Sequence, residues 1–446
     1  MKRLITAVIG FIFILCSTNL GAEPPSAADR FWPQWRGPSG NGFAADNDPP
    51  VEWGETKNVK WKLAIPGKGS SSPIIWGDRL YITTAVPTEE TVTPEPAPTS
   101  GGGRGMRVTK PSAVLKFDVI AVDRQSGKIL WQKTVRKELP HEGTHPTGTW
   151  ASNSAVTDGQ HVFAYFGSRG LYALDMDGNV AWERDFGDMT KKMAFGEGSS
   201  PALFGDKIVI LWDHEGPSFI VAVDKTTGKD IWKVDREEQT SWSTPHIVEN
   251  GGIHQVITNA TSRIRSYDLE DGRLIWEASG MTANALPTPV TLDGIAILMS
   301  GFRGNSLLAI RLKDAQGDIS DSEAILWRLD RDTPYTPSPL LYEETLYFLK
   351  SNSNILSSFN AKTGEEYYGQ QRLEGIGTVY SSPVGAAGRV YITDREGSTL
   401  VIRHGQQFEV LATNSLDDGF DASPAIVDDH IYLRGHQNLY CIVKEE

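Results

Sequence analysis

Eight times along this chain a small hydroxyl residue is followed by proline or alanine and then by an apolar stretch. The pairs are Ser72-Pro73, Ser154-Ala155, Ser200-Pro201, Thr244-Pro245, Thr288-Pro289, Ser338-Pro339, Ser382-Pro383 and Ser423-Pro424. Successive pairs are 82, 46, 44, 44, 50, 44 and 41 residues apart. A period in the mid-forties, with a strand opening each unit, is what a four-stranded propeller blade requires. The chain is therefore predicted to be all-β: an eight-bladed β-propeller of four-stranded antiparallel blades. At 446 residues the length alone would suggest two or three domains, but a sustained repeat joins most of it into one array.

The third unit shows the anatomy. Ser200 to Phe204 reads as a short strand, Gly205-Asp206 as a turn, and Lys207 to Trp212 as a β-branched second strand. A loop over Asp213 to Pro217 leads into Phe219 to Asp224, and Thr226-Thr227-Gly228-Lys229 turns the chain into Asp230 to Val234. This last turn and strand carry a recurring set: Ala121, Asp123, Gly127 and Trp131; Ala173, Asp175, Gly178 and Trp182; Ala222, Asp224, Gly228 and Trp232. Weaker copies follow at Ser266, Asp268, Gly272 and Trp276, at Ala309 and Trp327, and at Ser358, Asn360, Gly364 and Tyr368. Aspartate before a glycine-containing turn can bond its own backbone, and the small residue leaves room for a large ring. The tryptophans are expected to hold blades together rather than to stack a ligand.

The eighth unit stops early. Leu439 to Val443 reads as its third strand, and only Lys444-Glu445-Glu446 follow. A spare fourth strand stands near the other end of the chain, where Asn58 to Ile65 lacks the three strands that should precede it. Pairing it with the last blade closes the ring and leaves no open junction.

The segments outside the blades read differently. Lys2 and Arg3 precede an apolar run from Leu4 to Leu15, with Gly21 and Ala22 after it, so residues 1–22 are expected to be a secretory signal cleaved after Ala22. The alternatives are a lipid at Cys16, disfavoured by Leu15 before it, or an uncleaved membrane anchor. Residues 23–50 form an N-terminal extension whose large rings around Trp32 and Trp35 are expected to pack on the propeller at 51–446. Residues 86–111, rich in Pro, Thr and Gly, form an insertion in the first blade that is too apolar-poor for a core and is expected to be flexible. The chain is predicted to be periplasmic or secreted. With the leader gone, Cys441 alone remains of two cysteines, which excludes an intrachain disulfide. A net charge of −13 argues against nucleic acid as a partner. Association with a membrane is expected only through the N-terminus, and the chain is expected to be a monomer.

The Ala-x-Asp-x-x-x-Gly-x-x-x-Trp blade, with Ser-Pro opening each unit, resembles the pyrroloquinoline-quinone-like repeat family over roughly Asn58 to Val443. That family includes quinone-dependent alcohol and sugar dehydrogenases as well as the non-catalytic scaffold lipoprotein of the outer-membrane barrel-assembly machinery. The opening Trp-Pro-Gln-Trp-Arg-Gly-Pro is similar to secreted propeller proteins of planctomycete-type bacteria. The resemblance implies a propeller, and leaves function to the site.

In a four-stranded blade the loops between second and third strands share a face with the connections between blades. Each hydroxyl pair marks where the chain enters a blade from that face. The loops meeting there are rich in Arg, acids, Asn and aromatic rings, which suits a recognition surface at the channel mouth. The candidate ligand-binding residues are Asp213, His214, Glu215, Trp242, Asn284, Arg303, Arg169, Tyr335 and Asp394. The expected function is a non-catalytic binding propeller for a protein, glycan or small ligand, with no cofactor. The alternative that the resemblance implies is a dehydrogenase using pyrroloquinoline quinone (PQQ) and calcium, with Glu197, Asn284 and Asp213 as metal ligands and Trp242 as stacking platform. Against it, the chain lacks the adjacent cysteine pair that many alcohol-oxidising members carry. The nine histidines show no usable metal spacing: His141 and His145 are four apart but flanked by Pro140 and Pro146. Gly101 to Gly105 is not followed by the Lys-Ser/Thr of a phosphate loop.

Overall fold

The structure is a computed structural model that describes residues 27–45, 47–93 and 108–445. The expected leader with Cys16, and the centre of the 86–111 insertion, lie outside the described residues. The blades are those expected. In the third, Ala202–Phe204, Lys207–Trp212, Ser218–Asp224 and Asp230–Arg236 form a four-stranded antiparallel sheet in sequence order. Eight such sheets occur, with innermost strands beginning at Ile74, Val156, Ala202, His246, Val290, Leu340, Val384 and Ala425. Two sheets gain a two-residue parallel strand at an edge: Gly317–Asp318 on the outer strand of blade 4, and Phe43–Ala44 on the inner strand of blade 7. Among the described residues no helix is long and apolar enough to cross a membrane.

The ring closes as the strand count requires. Val59–Ala64 pairs antiparallel with Asn438–Ile442, with Trp61 opposite Cys441 and Leu63 opposite Leu439, and becomes the outer strand of blade 8. In the first blade the second strand runs on to Thr91 and the third begins at Ala113, so the described ends of the insertion are a tall hairpin.

The small residue, aspartate, glycine and tryptophan of each unit have distinct duties. Ala222 lies opposite Trp232 across the two outer strands, as Ala121 does opposite Trp131 and Ala173 opposite Trp182. Asp224 Oδ1 accepts from the backbone N–H groups of Thr226 and Thr227 at 3.1 and 2.8 Å, fixing the turn. The turn's Gly228, at φ +68°, lies under the ring of Trp182 from the preceding blade, where a Cβ would stand 2.6 Å from the indole. The Trp182 indole N–H donates to Lys225 O at 2.9 Å. The same joint recurs from Trp61 to Arg124 O, Trp131 to Met176 O, Trp232 to Leu269 O and Trp327 to Ala361 O. Trp276 departs from it and donates to Gln255 of its own blade at 3.3 Å, because blade 5 lacks the Asp-to-Gly turn.

The N-terminal extension does more than pack on the outside. Trp32, 1% exposed, pairs with Ile75 of blade 1. Pro33 O accepts from Thr157 N of blade 2, Asn41 bonds Thr291 and Leu341 of blades 5 and 6, and Gly42 O accepts from Gly385 N of blade 7. Buried Arg36 caps the carbonyls of Pro339 and Pro383. The segment therefore crosses the channel on the side opposite the blade connections and stops it there.

Candidate functional site

The hydroxyl residues that open the blades meet around the channel. Each backbone N–H donates to the hydroxyl of the next blade: Ser72 to Ser154, Ser154 to Ser200, Ser200 to Thr244, Thr244 to Thr288, Thr288 to Ser338, Ser338 to Ser382, and Ser382 to Ser423. The last N–H, of Ser423, returns to Ser72, so eight bonds of 2.9 to 3.2 Å close a belt. Proline after seven of the eight hydroxyl residues favours the extended entry that aims the N–H along the ring. Every hydroxyl oxygen thus accepts a bond, while none of the eight O–H protons has a protein acceptor among the described residues.

Above the belt is a cavity of about 250 Å³ opening on the face of the blade connections. Ser72, Ser154, Ser200, Ser382 and Ser423 contribute to its base, together with Trp35 from the plugging segment. The Trp35 indole reaches Ser423 Oγ at 3.4 Å. Phe195, Trp242, Tyr335 and Tyr380, each half-buried, line it from four different connections, and Thr144, His145, Glu197 and Asp421 complete it.

The charges here are matched. Burial raises the Glu197 carboxyl, opposed by bonds from Ser168 N at 2.7 Å and Ser168 Oγ at 2.5 Å and by the charge of Lys191. Lys191 lies behind Trp242, 5.1 Å from the ring centre, with its ammonium donating to Asp213 O and Ser241 O; burial lowers it to about 8. Burial alone would raise Asp421, but bonds from His436 and Arg395 outweigh it and hold the carboxyl below its ordinary range. The same bond, 3.0 Å from His436 Nε2, raises the imidazole. Arg395 also spreads over the Tyr380 ring at 4.3 Å.

Of the residues singled out in the sequence, Trp242, Tyr335 and Glu197 line this cavity. Arg303 is exposed on the rim, 5.4 Å from the Phe302 ring centre, and Phe302 stacks on Tyr335 at 4.7 Å. Asn284 is buried near them at φ +55°, its Oδ1 without a partner. The remaining five stand in the walls. Asp213 is bound by Arg236 Nε at 2.8 Å and Nη2 at 3.1 Å and by Ser241 Oγ at 2.7 Å, with both charged side chains fully buried. His214 receives Thr190 N, Glu215 receives Thr240 Oγ1, and Asp394 receives Gly377, Glu396 and Ser398 N–H groups. Arg169 is held by Glu138, Asp188 and His141. These side chains order the connections that shape the mouth.

Sequence reasoning missed Trp35 as a lining group. It used the hydroxyl pairs as a ruler without seeing that they form the cavity's base. Their common position at every blade entry was the available signal.

The donor set for calcium does not fit: of its three expected ligands, only Asn284 keeps an oxygen without a partner. Calcium takes six or more oxygens, but both Asp213 oxygens are committed to Arg236 and Ser241, and Glu197 to Ser168. Among the described residues no three His, Cys, Asp or Glu side chains converge as a metal group.

Residues 115–215 and 216–446 match the family described as outer membrane protein assembly factor BamB. A curated relative, the outer membrane protein assembly factor BamB of Yersinia pestis, is 22% identical over 332 residues, 71% of this chain and 77% of the relative. The crystal structure of BamB from Moraxella catarrhalis aligns at a TM-score of 0.54 and 14% identity, covering 80% of this chain and 98% of that one. A europium-containing methanol dehydrogenase aligns at 0.63 and 11% identity, covering 92% and 90%. The quinohemoprotein alcohol dehydrogenase of Comamonas testosteroni aligns at 0.60 and 10%, covering 94% and 81%. At these identities the solved structures share the fold alone. The match over most of the chain settles its kinship: the protein belongs to the outer membrane protein assembly factor BamB family.

Proposed function

We propose that this chain is a non-catalytic scaffold of the bacterial envelope that holds a partner at the loop-rich mouth of its channel, on the periplasmic side and in the service of outer-membrane protein assembly. The observation that carries this reading is the division of labour around the mouth. The acids and cations that would do chemistry are locked in internal pairs, whereas Tyr335, Phe302 and Arg303 stand together on the rim as a ring stack with a cation beside it. Rings with an adjacent guanidinium are the side chains that anchor interfaces. The leader, the acidic charge and the family support an envelope location and a protein partner.

The test is capture from envelope extracts with wild-type protein and a Phe302→Ala, Arg303→Glu variant, under matched far-ultraviolet dichroism. A defined partner recovered by wild type and lost from the variant is expected. Equal recovery by both removes this face. The dehydrogenase reading has its own test: titration with PQQ and calcium is expected to leave the absorbance of the quinone unshifted.

A further inference from the structure

We propose that the cavity beneath the rim is a binding site for a neutral saccharide, a function separate from the partner contacts on the rim although it shares their mouth. The cavity is blind, since the segment from Trp32 to Ala44 stops the channel below it and Trp35 forms part of its base. A ligand must therefore enter and leave from the loop face. At about 250 Å³ it lies just below the range of pockets for drug-sized ligands, which suits one or two sugar rings.

The lining selects the chemistry. Five aromatic rings, Trp35, Phe195, Trp242, Tyr335 and Tyr380, reach one small space from different parts of the chain. Such rings offer flat apolar faces with a slightly negative centre, the complement of the C–H face of a pyranose. Beneath them the belt hydroxyls of Ser72, Ser154, Ser200, Ser382 and Ser423, none more than 5% exposed, each accept from the N–H of the preceding blade and keep their protons to donate. A buried donor without an acceptor is costly, so a ligand edge dense in oxygen is the natural counterpart. A sugar carries both surfaces in one molecule.

Charge excludes the rivals. Among the described residues the lining holds no Lys or Arg, so phosphate or a carboxylate is disfavoured. Glu197 is bonded by Ser168, and Asp421 is paired with Arg395 and His436, so neither acid is free to hold a cation. A neutral, hydroxyl-rich ligand with an apolar face is what remains.

The experiment is titration of the full mature chain with cellobiose, maltose and di-N-acetylchitobiose, read by tryptophan fluorescence and calorimetry, with trialanine and inorganic phosphate as comparison ligands. At least one disaccharide is expected to saturate at millimolar concentration or below. Tyr380→Ala and Trp242→Ala are each expected to weaken it about tenfold, the scale of one ring contact. Because Trp242 also bonds Gly196 O at 2.8 Å, the melting curve of each variant is measured, and Tyr380→Ala decides if Trp242→Ala is unfolded. No saturation by any of the three sugars, or saturation by trialanine or phosphate instead, overturns the inference. Neither result depends on capture of a partner, so failure of the saccharide site and failure of the rim scaffold are told apart.

Discussion

The backbone N–H of Ser423 donates to the hydroxyl of Ser72 at 2.9 Å, joining residues 351 positions apart. It is the last of eight identical links, and it makes the inner ring of the propeller a closed cycle. The outer ring closes independently through Val59–Ala64.

The belt predicts the cost of losing one hydroxyl. Ser200→Ala leaves the buried N–H of Ser154 without its acceptor, 2.9 Å away in the native chain. A loss of about 1–3 kcal/mol is expected in urea denaturation. Ser200→Thr should stay close to wild type, because threonine already fills the position at Thr244 and Thr288. An alanine variant as stable as the threonine variant would show that the belt contributes nothing to stability.

Outer closure predicts a larger effect. Deleting residues 51–65 removes the fourth strand of blade 8 and the Trp61 joint to Arg124 of blade 1, exposing the edge of Asn438–Ile442. The melting temperature is expected to fall sharply, with aggregation on heating. An unchanged melting curve would refute closure by the N-terminal strand.

Asp213 is expected to act on stability. Asp213→Ala strands the fully buried Arg236 guanidinium, and removing one partner of such a pair costs about 3–5 kcal/mol. The double variant Asp213→Leu, Arg236→Met is expected to recover much of that loss in the same denaturation assay. A single variant with a native midpoint would mean the pair is not formed in solution.

Acid should loosen the plugged side. Burial, with the charge of Arg36 adding to it, lowers His246 from its ordinary 6.5 to about 4. Between those values the unfolded chain binds a proton that the folded chain refuses, so stability falls as pH drops from 6.5 to 4, by about 3 kcal/mol in all. Gly40 of the plugging segment lies against this imidazole, so that segment should feel the change first. Comparing denaturation midpoints at pH 7 and pH 4 tests it: His246→Asn is expected to lose less stability than wild type, and parallel losses would exclude His246 as the cause.

Much of this architecture is legible without coordinates. The hydroxyl-Pro/Ala steps, the aspartate-glycine turns and the tryptophans repeat at one spacing because every blade solves the same local problem, and local problems are written in local sequence. The missing strand of the last unit and the spare strand near the first could likewise be matched by counting. What a period cannot carry is the relation between units: that Trp182 sits on Gly228 of the following blade, or that Ser423 meets Ser72.

The site divides along the same line. Residue type pointed to the mouth, where Trp242 and Tyr335 do line the cavity. It could not separate Asp213, consumed by Arg236, from Asp421, which lines the cavity, because both are acids in loops of the same face. Nor could it place Trp35, whose neighbours in the chain say only that it packs somewhere. By itself the sequence determined the blade and its number, since these follow from hydrogen bonding and burial within about forty-five residues, and the closure, since the last unit lacks the strand that stands spare near the first. Only the tertiary structure decided which polar groups remain free and what stops the channel, because those depend on contacts between blades far apart along the chain.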